Sequence, residues 1–421
     1  MRHWIATVVG KFVRFVTHLR GGGTSLPGMI AERIDPRYLE RASAKFPLGV
    51  LSILGSNGKT TTTNMVTAML REHGLRVAGN TAGGNLPQGL ATSMVMATTL
   101  TGRVPYDIAV LETDEAYAPQ LAPRMKPVGS LLLNVQIDQL QRLHEPDRVG
   151  DMLRSMALET TGHVVINADS AHLRPVGAEL PYAQTHYFAV EPNFAASLPN
   201  GLNNAEAFGV GEVDLPVEPA ALVLSASEHE AELSLDGEVF TVSLPARGLH
   251  YAIDIAAAAL LVKRVLGERF NIAAVQRAMQ GMKTAYGRGE VLLADGQEIE
   301  MIMFKNGPSL QLNLDSIPEL PDRILFTIDT GTPDLTWLYS NELSRIEKID
   351  VVSGGLHASQ LATHFAYRQI PIDLVEPDMK AAVAAFLALP APTKGRKLML
   401  VNYEQMALIR DALGYRDMGD Q

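Results

Sequence analysis

Short apolar runs alternate with helically spaced apolar positions from residue 48 onward. The first run is followed by a Gly-rich turn and by a helical pattern over 60–73 that Gly74 ends. The runs are separated by enough chain for a crossover helix, so they predict a parallel sheet. The runs that predict its strands are 48–54, 106–111, 129–133 and 163–166.

A second alternating series follows an irregular stretch at 188–219, which is rich in Asn, Pro, Gly and Ala. Alternating residues on both sides of Asp236 and Gly237 predict a hairpin with a two-residue turn. A helix over 251–266 precedes the last strands, which predict a second α/β domain. We divide the chain into an N-terminal segment 1–35, a central domain 36–282 with an insert at about 188–246, and a C-terminal domain 283–421. The predicted strands of that last domain are 299–304, 323–328, 349–353 and 398–402.

The N-terminal residues predict a basic amphipathic helix that ends at three glycines, 21–23. Two arrangements fit this pattern: a helix resting on anionic lipid, and a helix packed on its own domain. The basic residues before the first acid, Glu32, are Arg2, Lys11, Arg14 and Arg20. The apolar residues at roughly helical spacing are Trp4, Ile5, Val8, Val9, Phe12, Phe15 and Val16.

Composition narrows the classes of function. The 421 residues include 36 Lys and Arg against 46 Asp and Glu, and this net charge of −10 provides no general basic field for nucleic acid. Any nucleotide must therefore be held by a local motif. The absence of Cys excludes disulfides, thiolate metal sites and a cysteine nucleophile from this chain. Without a spanning apolar run or a secretory signal, we expect a cytoplasmic protein.

A glycine motif between the first predicted strand and helix is the strongest chemical signal. In that context, backbone N–H groups at the helix start can hold phosphates, Lys59 can reach the β- and γ-oxygens, and the Thr60 hydroxyl can ligate Mg²⁺. Only two residues separate the glycines, and the alternative is an ordinary turn with a solvated lysine. The motif is Gly55, Ser56, Asn57, Gly58, Lys59, Thr60 and Thr61.

Carboxylates follow the strand predicted at 106–111, where open α/β sheets place their ligands. Glu112 is nearest the strand and is our candidate Mg²⁺ ligand, because this ion prefers hard oxygen atoms and substrate phosphates. Asp114 and Glu115 fit either the same site or a solvated loop. Polar residues after the next two strands predict the same crevice, although each alone could be a helix cap or a turn former. They are Asn134, Asp138, Gln139, His144, Asn167 and Asp169.

Taken together, these motifs resemble the Mur ligase superfamily, the ATP-dependent amide-bond formers of cell-wall precursors. The loop 55–61 is similar to the superfamily's GTNGKTT, 111–116 to its EVDEA element and 134–140 to its N-x-x-x-D-Q-L element. Further segments resemble the MurT family, the ligase-like subunits of lipid II isoglutaminyl synthase. Those segments are 22–28, 31–36, 287–290, Lys305 with Asn306, and 334–338.

The resemblance implies an α/β protein with a central P-loop domain built on a parallel sheet and a Rossmann-like C-terminal domain. It also implies a reaction at the inner membrane surface. ATP and Mg²⁺ would phosphorylate the α-carboxyl of D-glutamate in the lipid II stem peptide, and ammonia would attack the acyl phosphate to give D-isoglutamine. Arg288 would contact phosphate, and Lys305, Asn306 and Asn134 would lie near the nucleotide.

The resemblance further implies a heterodimer with a GatD-type glutamine amidotransferase, which supplies ammonia through its Cys and His. Since this chain has no Cys, it cannot be the glutaminase by itself. Asp334 matches the aspartate that the family lends to that Cys–His pair, and the alternative is a turn aspartate.

The chain departs from the family pattern in three places. The four-Cys zinc ribbon of typical members would fall in 188–219, which has no Cys, so we expect no zinc. Asp254 stands where an asparagine near adenine is expected, and 329–333 is a sparser version of the family's segment. Two other functions are compatible with the motifs: a stand-alone ligase that joins an amino acid, and a nucleotide-dependent binding module. An N-K-x-D guanine-reading motif is absent.

Overall fold

A computed structural model describes residues 1–19, 25–80, 84–136, 146–202, 217–282, 288–294, 296–328 and 336–415. Three helices come first: α1 (Arg2–Leu19), α2 (Leu26–Ile34) and α3 (Tyr38–Ser43). The predicted N-terminal helix is thus confirmed. Within the described residues, no helix is both long and apolar enough to cross a membrane.

The central part is a nine-stranded sheet with strand order β2-β3-β1-β4-β5-β6-β7-β8-β9. All pairs from β2 to β7 are parallel, which confirms the predicted parallel sheet. Its strands are β1 (Val50–Leu54), β2 (Val77–Gly79), β3 (Ile108–Glu112), β4 (Gly129–Leu132), β5 (His163–Asn167), β6 (Thr185–Val190), β7 (Ala221–Ala226), β8 (Glu230–Leu235) and β9 (Glu238–Ser243). Its helices are α4 (Lys59–Glu72), α5 (Pro87–Ala97), α6 (Ala118–Met125), α7 (Pro146–Leu158), α8 (Pro192–Ala196), α9 (Leu249–Leu266) and α10 (Ile272–Gln280).

Helices cover both faces of this sheet, and β1 illustrates why. All five of its residues are buried. Leu51 and Ile53 belong to one hydrophobic cluster with α4 and α9, while Val50 and Leu54 belong to a second cluster with α5, α6 and α7. A strand buried on both faces reads as a continuous apolar run, as this one does.

The C-terminal part is a six-stranded sheet with order β10-β11-β15-β12-β13-β14. The pair β10–β11 is antiparallel and the others are parallel. The strands are β10 (Arg288–Ala294), β11 (Gln297–Met303), β12 (Arg323–Thr327), β13 (Asp350–Gly354), β14 (Ile372–Glu376) and β15 (Lys397–Val401). The helices are α11 (Gly307–Ser316), α12 (Ala358–Tyr367), α13 (Met379–Ala388) and α14 (Tyr403–Ala412).

The hairpin is as predicted, with Asp236 at φ 53° and Gly237 at φ 83° between β8 and β9. Positive φ at both central residues is the geometry of a type I′ turn. Five strands were not predicted, namely β2, β6, β7, β10 and β14. The irregular stretch 188–219 includes the end of β6 and helix α8, so its first part is regular structure rather than a loop. Residues 203–216 lie outside the described residues.

Candidate functional site

The loop between β1 and α4 requires glycine at two positions. Gly55 has φ 146°, and a Cβ there would lie 2.8 Å from Leu133 Cβ. Gly58 has φ 85°, and a Cβ there would lie 2.7 Å from the Oδ1 atom of the buried Asp254. Helix α4 then begins at Lys59, and no described side chain caps its start. The first N–H groups of a helix that begins in this way can bind an anion.

Lys59 is held by a buried ion pair. Its Nζ donates to Glu115 Oε2 at 3.0 Å and to the Gly55 carbonyl at 2.5 Å. The side chains of Lys59 and Glu115 are only 8% and 2% exposed, so this lysine is not the solvated residue of an ordinary turn. Burial opposes ionisation of Glu115, but the positive charges of Lys59 and Lys305 outweigh it and hold the pKa of Glu115 below its ordinary value.

Asp114 and Glu115 are not part of a solvated loop. Asp114 is 6% exposed, and its carboxylate accepts from the Ala116 N–H at 3.1 Å, where it caps a short 3₁₀ turn. Glu115 is 2% exposed and forms its ion pair with Lys59 of the phosphate loop. The solvated alternative is therefore wrong for both residues.

The side-chain oxygen atoms of Thr60 and Glu112 lie next to each other where solvent can reach them. The Thr60 hydroxyl donates to Glu112 Oε2 at 2.7 Å, and the other carboxylate oxygen accepts from Asn85 Nδ2 at 3.2 Å. Asn80 fixes the main chain of Glu112, because it accepts from the Glu112 N–H at 2.9 Å and donates to its carbonyl at 2.8 Å. No group of three or more His, Cys, Asp or Glu suited to a metal occurs among the described residues.

Asn134, at the end of β4, clamps the loop. Its Oδ1 accepts from the Asn57 N–H at 2.9 Å, and its Nδ2 donates to the Asn57 carbonyl at 3.1 Å. Gln136 adds a second clamp, because its N–H donates to Ser56 Oγ at 3.0 Å. These bonds fix the backbone between the two glycines in one conformation.

The C-terminal domain reaches the same loop through Lys305 and Asn306, which precede α11. Lys305 Nζ donates to the Ser56 carbonyl at 3.3 Å. The Asn306 and Asn57 side chains exchange hydrogen bonds of 3.1 and 3.4 Å. The Asn306 Oδ1 also accepts from the Ser309 N–H, which completes a capping box at the start of α11. The structure thus brings residues from both domains to the phosphate loop.

The remaining predicted residues lie in neighbouring elements or outside the described residues. Thr61 is in the first turn of α4 with a buried side chain. Asn167 donates to the Leu133 carbonyl at 2.7 Å, and Asp169 accepts from the Val190 N–H at 2.8 Å, so both bond the main chain beside β5. Arg288 is the first residue of β10. Asp138, Gln139, His144 and Asp334 lie outside the described residues.

Sequence reasoning missed three site residues: Asn80, Asn85 and Gln136. Asn80 directly follows β2, a three-residue strand too short to give a periodic signal. Gln136 lies two positions after Asn134, and this spacing was the available signal for it. All three are positioning amides, which orient the loop or Glu112 through hydrogen bonds.

The chain is similar in sequence to known proteins. Residues 53–262 match the Mur ligase middle domain family. The chain is 24% identical over 407 residues, covering 88% of each chain, to the "lipid II isoglutaminyl synthase (glutamine-hydrolyzing) subunit MurT" of Streptococcus pneumoniae. It is also 24% identical, over the whole length of both chains, to the protein of that name from Staphylococcus aureus.

Solved structures show the same fold. MurF from Acinetobacter baumannii superimposes with a TM-score of 0.68 at 14% identity, covering 92% of this chain and 81% of that one. MurF from Thermotoga maritima in complex with ADP superimposes with a TM-score of 0.64 at 18% identity, covering 92% and 83%. The phosphate loop, the matched middle domain and the likeness to the curated relatives along the chain identify it as a member of the Mur ligase superfamily of ATP-dependent ligases.

Proposed function

We propose that the chain is the ligase subunit of a lipid II isoglutaminyl synthase, acting in peptidoglycan synthesis at the inner face of the membrane. One observation carries the proposal: the likeness to the Staphylococcus aureus MurT subunit extends over the whole of both chains. By contrast, a UDP-N-acetylmuramoylalanine–D-glutamate ligase of Aromatoleum aromaticum is 27% identical over only 58% of this chain. The full-length likeness therefore favours the amidating subunit over an amino-acid ligase.

The residues at the loop fit a Mg²⁺–ATP complex. Mg²⁺ is bound through one or two protein oxygen atoms together with substrate phosphates, and the adjacent Thr60 hydroxyl and Glu112 carboxylate offer such a pair. When bound, the ion would neutralise charge on the phosphates. Lys59 would direct its Nζ at the transferring γ-phosphoryl group, while Gly55, Gly58 and the first N–H groups of α4 cradle the polyphosphate.

The proposed chemistry takes place in two steps. The α-carboxylate oxygen of D-glutamate attacks the γ-phosphorus and ADP leaves, which yields an acyl phosphate. Ammonia then attacks the carbonyl carbon and inorganic phosphate leaves with one of the carboxylate oxygens. The protein's main task is to hold the carboxylate in line with the phosphoryl group and to stabilise its charge.

Ammonia would come from a GatD-type glutamine amidotransferase. We propose that Asp334 completes a catalytic triad with the Cys and His of that subunit. We further propose that Arg288, Lys305 and Asn306 lie on the nucleotide side of the cleft between the two domains. Lys305 and Asn306 support the latter assignment, because they contact Ser56 and Asn57 of the loop.

An oxygen-transfer experiment tests the proposal. The chain, co-purified with a glutamine amidotransferase subunit, is given ATP, glutamine and lipid II whose D-glutamate α-carboxyl carries ¹⁸O at both oxygen atoms. We expect amidated lipid II and one ¹⁸O atom in each inorganic phosphate released. Amide formation without ¹⁸O in phosphate would exclude the acyl phosphate. If ADP release instead requires a free amino acid but neither glutamine nor the partner subunit, the chain is a stand-alone ligase.

A further inference from the structure

Helix α1 packs on the central domain through its small and polar residues. Ala6 and Thr7 are fully buried, and the Thr7 hydroxyl hydrogen-bonds the Tyr38 hydroxyl at 2.9 Å. A Cβ on Gly10 would lie 2.9 Å from Val95 Cγ1, so α1 and α5 are in close contact there. Through this face α1 packs on its own domain, which is one of the two arrangements that fit the sequence.

The large apolar residues lie on the opposite face. At 3.6 residues per turn they fall within an arc of about 100°, nearly opposite Ala6, Thr7 and Gly10. A helix that only packs on its own domain turns its apolar stripe inward, so α1 has the reverse orientation. We call these residues the outer face: Trp4 (52% exposed), Ile5 (38%), Phe12 (66%), Phe15 (62%) and Leu19 (71%).

Two exposed residues of the neighbouring segment extend the outer face. Trp4 Nε1 donates to the Leu100 carbonyl at 2.8 Å, and Lys11 Nζ donates to the Met96 carbonyl at 3.2 Å. Leu100 and Met96 are 59% and 47% exposed. A contiguous apolar patch of this kind on a folded protein marks an interaction surface.

The charges around the outer face indicate its partner. Four of the chain's 36 basic residues, and none of its 46 acidic residues, lie in the first 31 positions. On the helix, Lys11 and Arg2 flank the outer face on its two sides. We propose that the outer face rests on an anionic lipid surface, with its aromatic and aliphatic side chains in the interface and these cations among the headgroups.

A second copy of the chain fits this surface less well than lipid does. A twofold contact would place the same patch against itself and bring the flanking cations Lys11 and Arg2 of both copies to one interface. An anionic bilayer offers both the apolar interior and the opposite charge. The proposed lipid contact is argued from the structure of α1 alone, so it does not depend on whether the proposed amidation is correct.

The test is co-sedimentation of the full chain with vesicles of phosphatidylcholine, with and without phosphatidylglycerol. We expect binding to the vesicles with phosphatidylglycerol, weaker binding at high salt, and quenching of Trp4 fluorescence by brominated lipid. Phe12→Gln with Phe15→Gln should weaken binding at least about tenfold, because two exposed apolar side chains are lost. Arg2→Gln should weaken it about fivefold, the contribution of one cation near an anionic surface.

Controls separate lipid contact from folding and from catalysis. Tyr182→Gln removes an aromatic ring that is 96% exposed outside the outer face, and it should bind vesicles like the wild type. The Phe12 and Phe15 variant should keep the wild-type melting temperature and vesicle-free ATP turnover. The proposal is overturned if the wild type does not bind the anionic vesicles, if the Phe variant binds equally well, or if that variant converts a dimer into a monomer.

Discussion

Glu115→Gln tests whether a buried ion pair holds the phosphate-loop lysine. The substitution keeps the shape of the side chain and an oxygen that can accept from Lys59, but removes the negative charge. Lys59 would then be buried at 8% exposure without the Glu115 carboxylate. Removing a carboxylate from a buried ion pair is destabilising, so the folded state should lose stability.

The structure sets the size of the effect. At the observed 3.0 Å between Nζ and Oε2, and with an effective dielectric constant of about 20, Coulomb's law gives an attraction of about 5.5 kcal/mol. Desolvation of both groups reduces the net contribution, and the retained hydrogen bond reduces the loss further. We expect a loss of about 2–4 kcal/mol, which corresponds to about 5–15 °C in melting temperature for a domain of this size.

The pH dependence provides a second, independent measurement. The pKa of Glu115 in the folded chain lies below its ordinary value of 4.5. Its carboxylate therefore stabilises the folded state at neutral pH, and this contribution is lost as pH falls below 4.5 through the folded-state pKa. The difference in unfolding free energy between wild type and Glu115→Gln should be largest at neutral pH and should shrink in acid.

Urea unfolding followed by circular dichroism, without nucleotide, measures both quantities. Glu179→Gln is the matched control, since its partner Arg154 forms an ion pair with side chains 40% and 42% exposed. That variant should lose no more than about 1 kcal/mol. The reasoning would be refuted if both variants lost the same unfolding free energy. It would also be refuted if the difference in unfolding free energy between wild type and Glu115→Gln stayed constant as the pH falls.

Three further substitutions test other parts of the site. Lys59→Ala should abolish ADP release while partner binding, measured by co-purification, is retained; continued turnover would remove this loop from the mechanism. Asp334→Asn should lower glutamine hydrolysis by the complex and spare synthesis from added ammonium, and normal values for both would exclude it from the triad. Gly58→Ala should weaken ATP binding and lower the melting temperature more than Gly74→Ala. Both glycines have φ near 80°, but a Cβ would contact Asp254 only at Gly58.

Local signals made the phosphate loop predictable. The apolar run of β1, the glycines and the helical pattern of α4 are contiguous in sequence, so each constrains the next. Strands β6 and β14 escaped prediction for the opposite reason. The first three residues of β6 are only partly buried, and the middle of β14 is exposed. Their positions are fixed by pairing with β5 and β13, which a local pattern does not contain.

The orientation of α1 shows a different limit. Amphipathic spacing indicates that one face of a helix is apolar, but it does not say which face meets the domain. In α1 the anchor is a set of contacts by Thr7 and Gly10 with residues far along the chain, Tyr38 and Val95. Those contacts leave no trace in the local periodicity, so the face by which α1 packs on the domain could not be predicted from the sequence.

The charge of the loop follows from residues that are distant in sequence. Lys59 opens α4, Glu115 follows β3, and Lys305 belongs to the C-terminal domain, yet both lysines act on the same buried carboxylate. The carboxylates of Glu112 and Asp254 also lie beside this loop, so the two lysines do not by themselves make the pocket positive. In the proposed complex, a polyphosphate would be held by directed contacts at short range, from the Lys59 ammonium and the N–H groups at the start of α4. Low exposure weakens the screening of such contacts by salt. They are the local groups that a chain with a net charge of −10 requires if it is to hold a nucleotide.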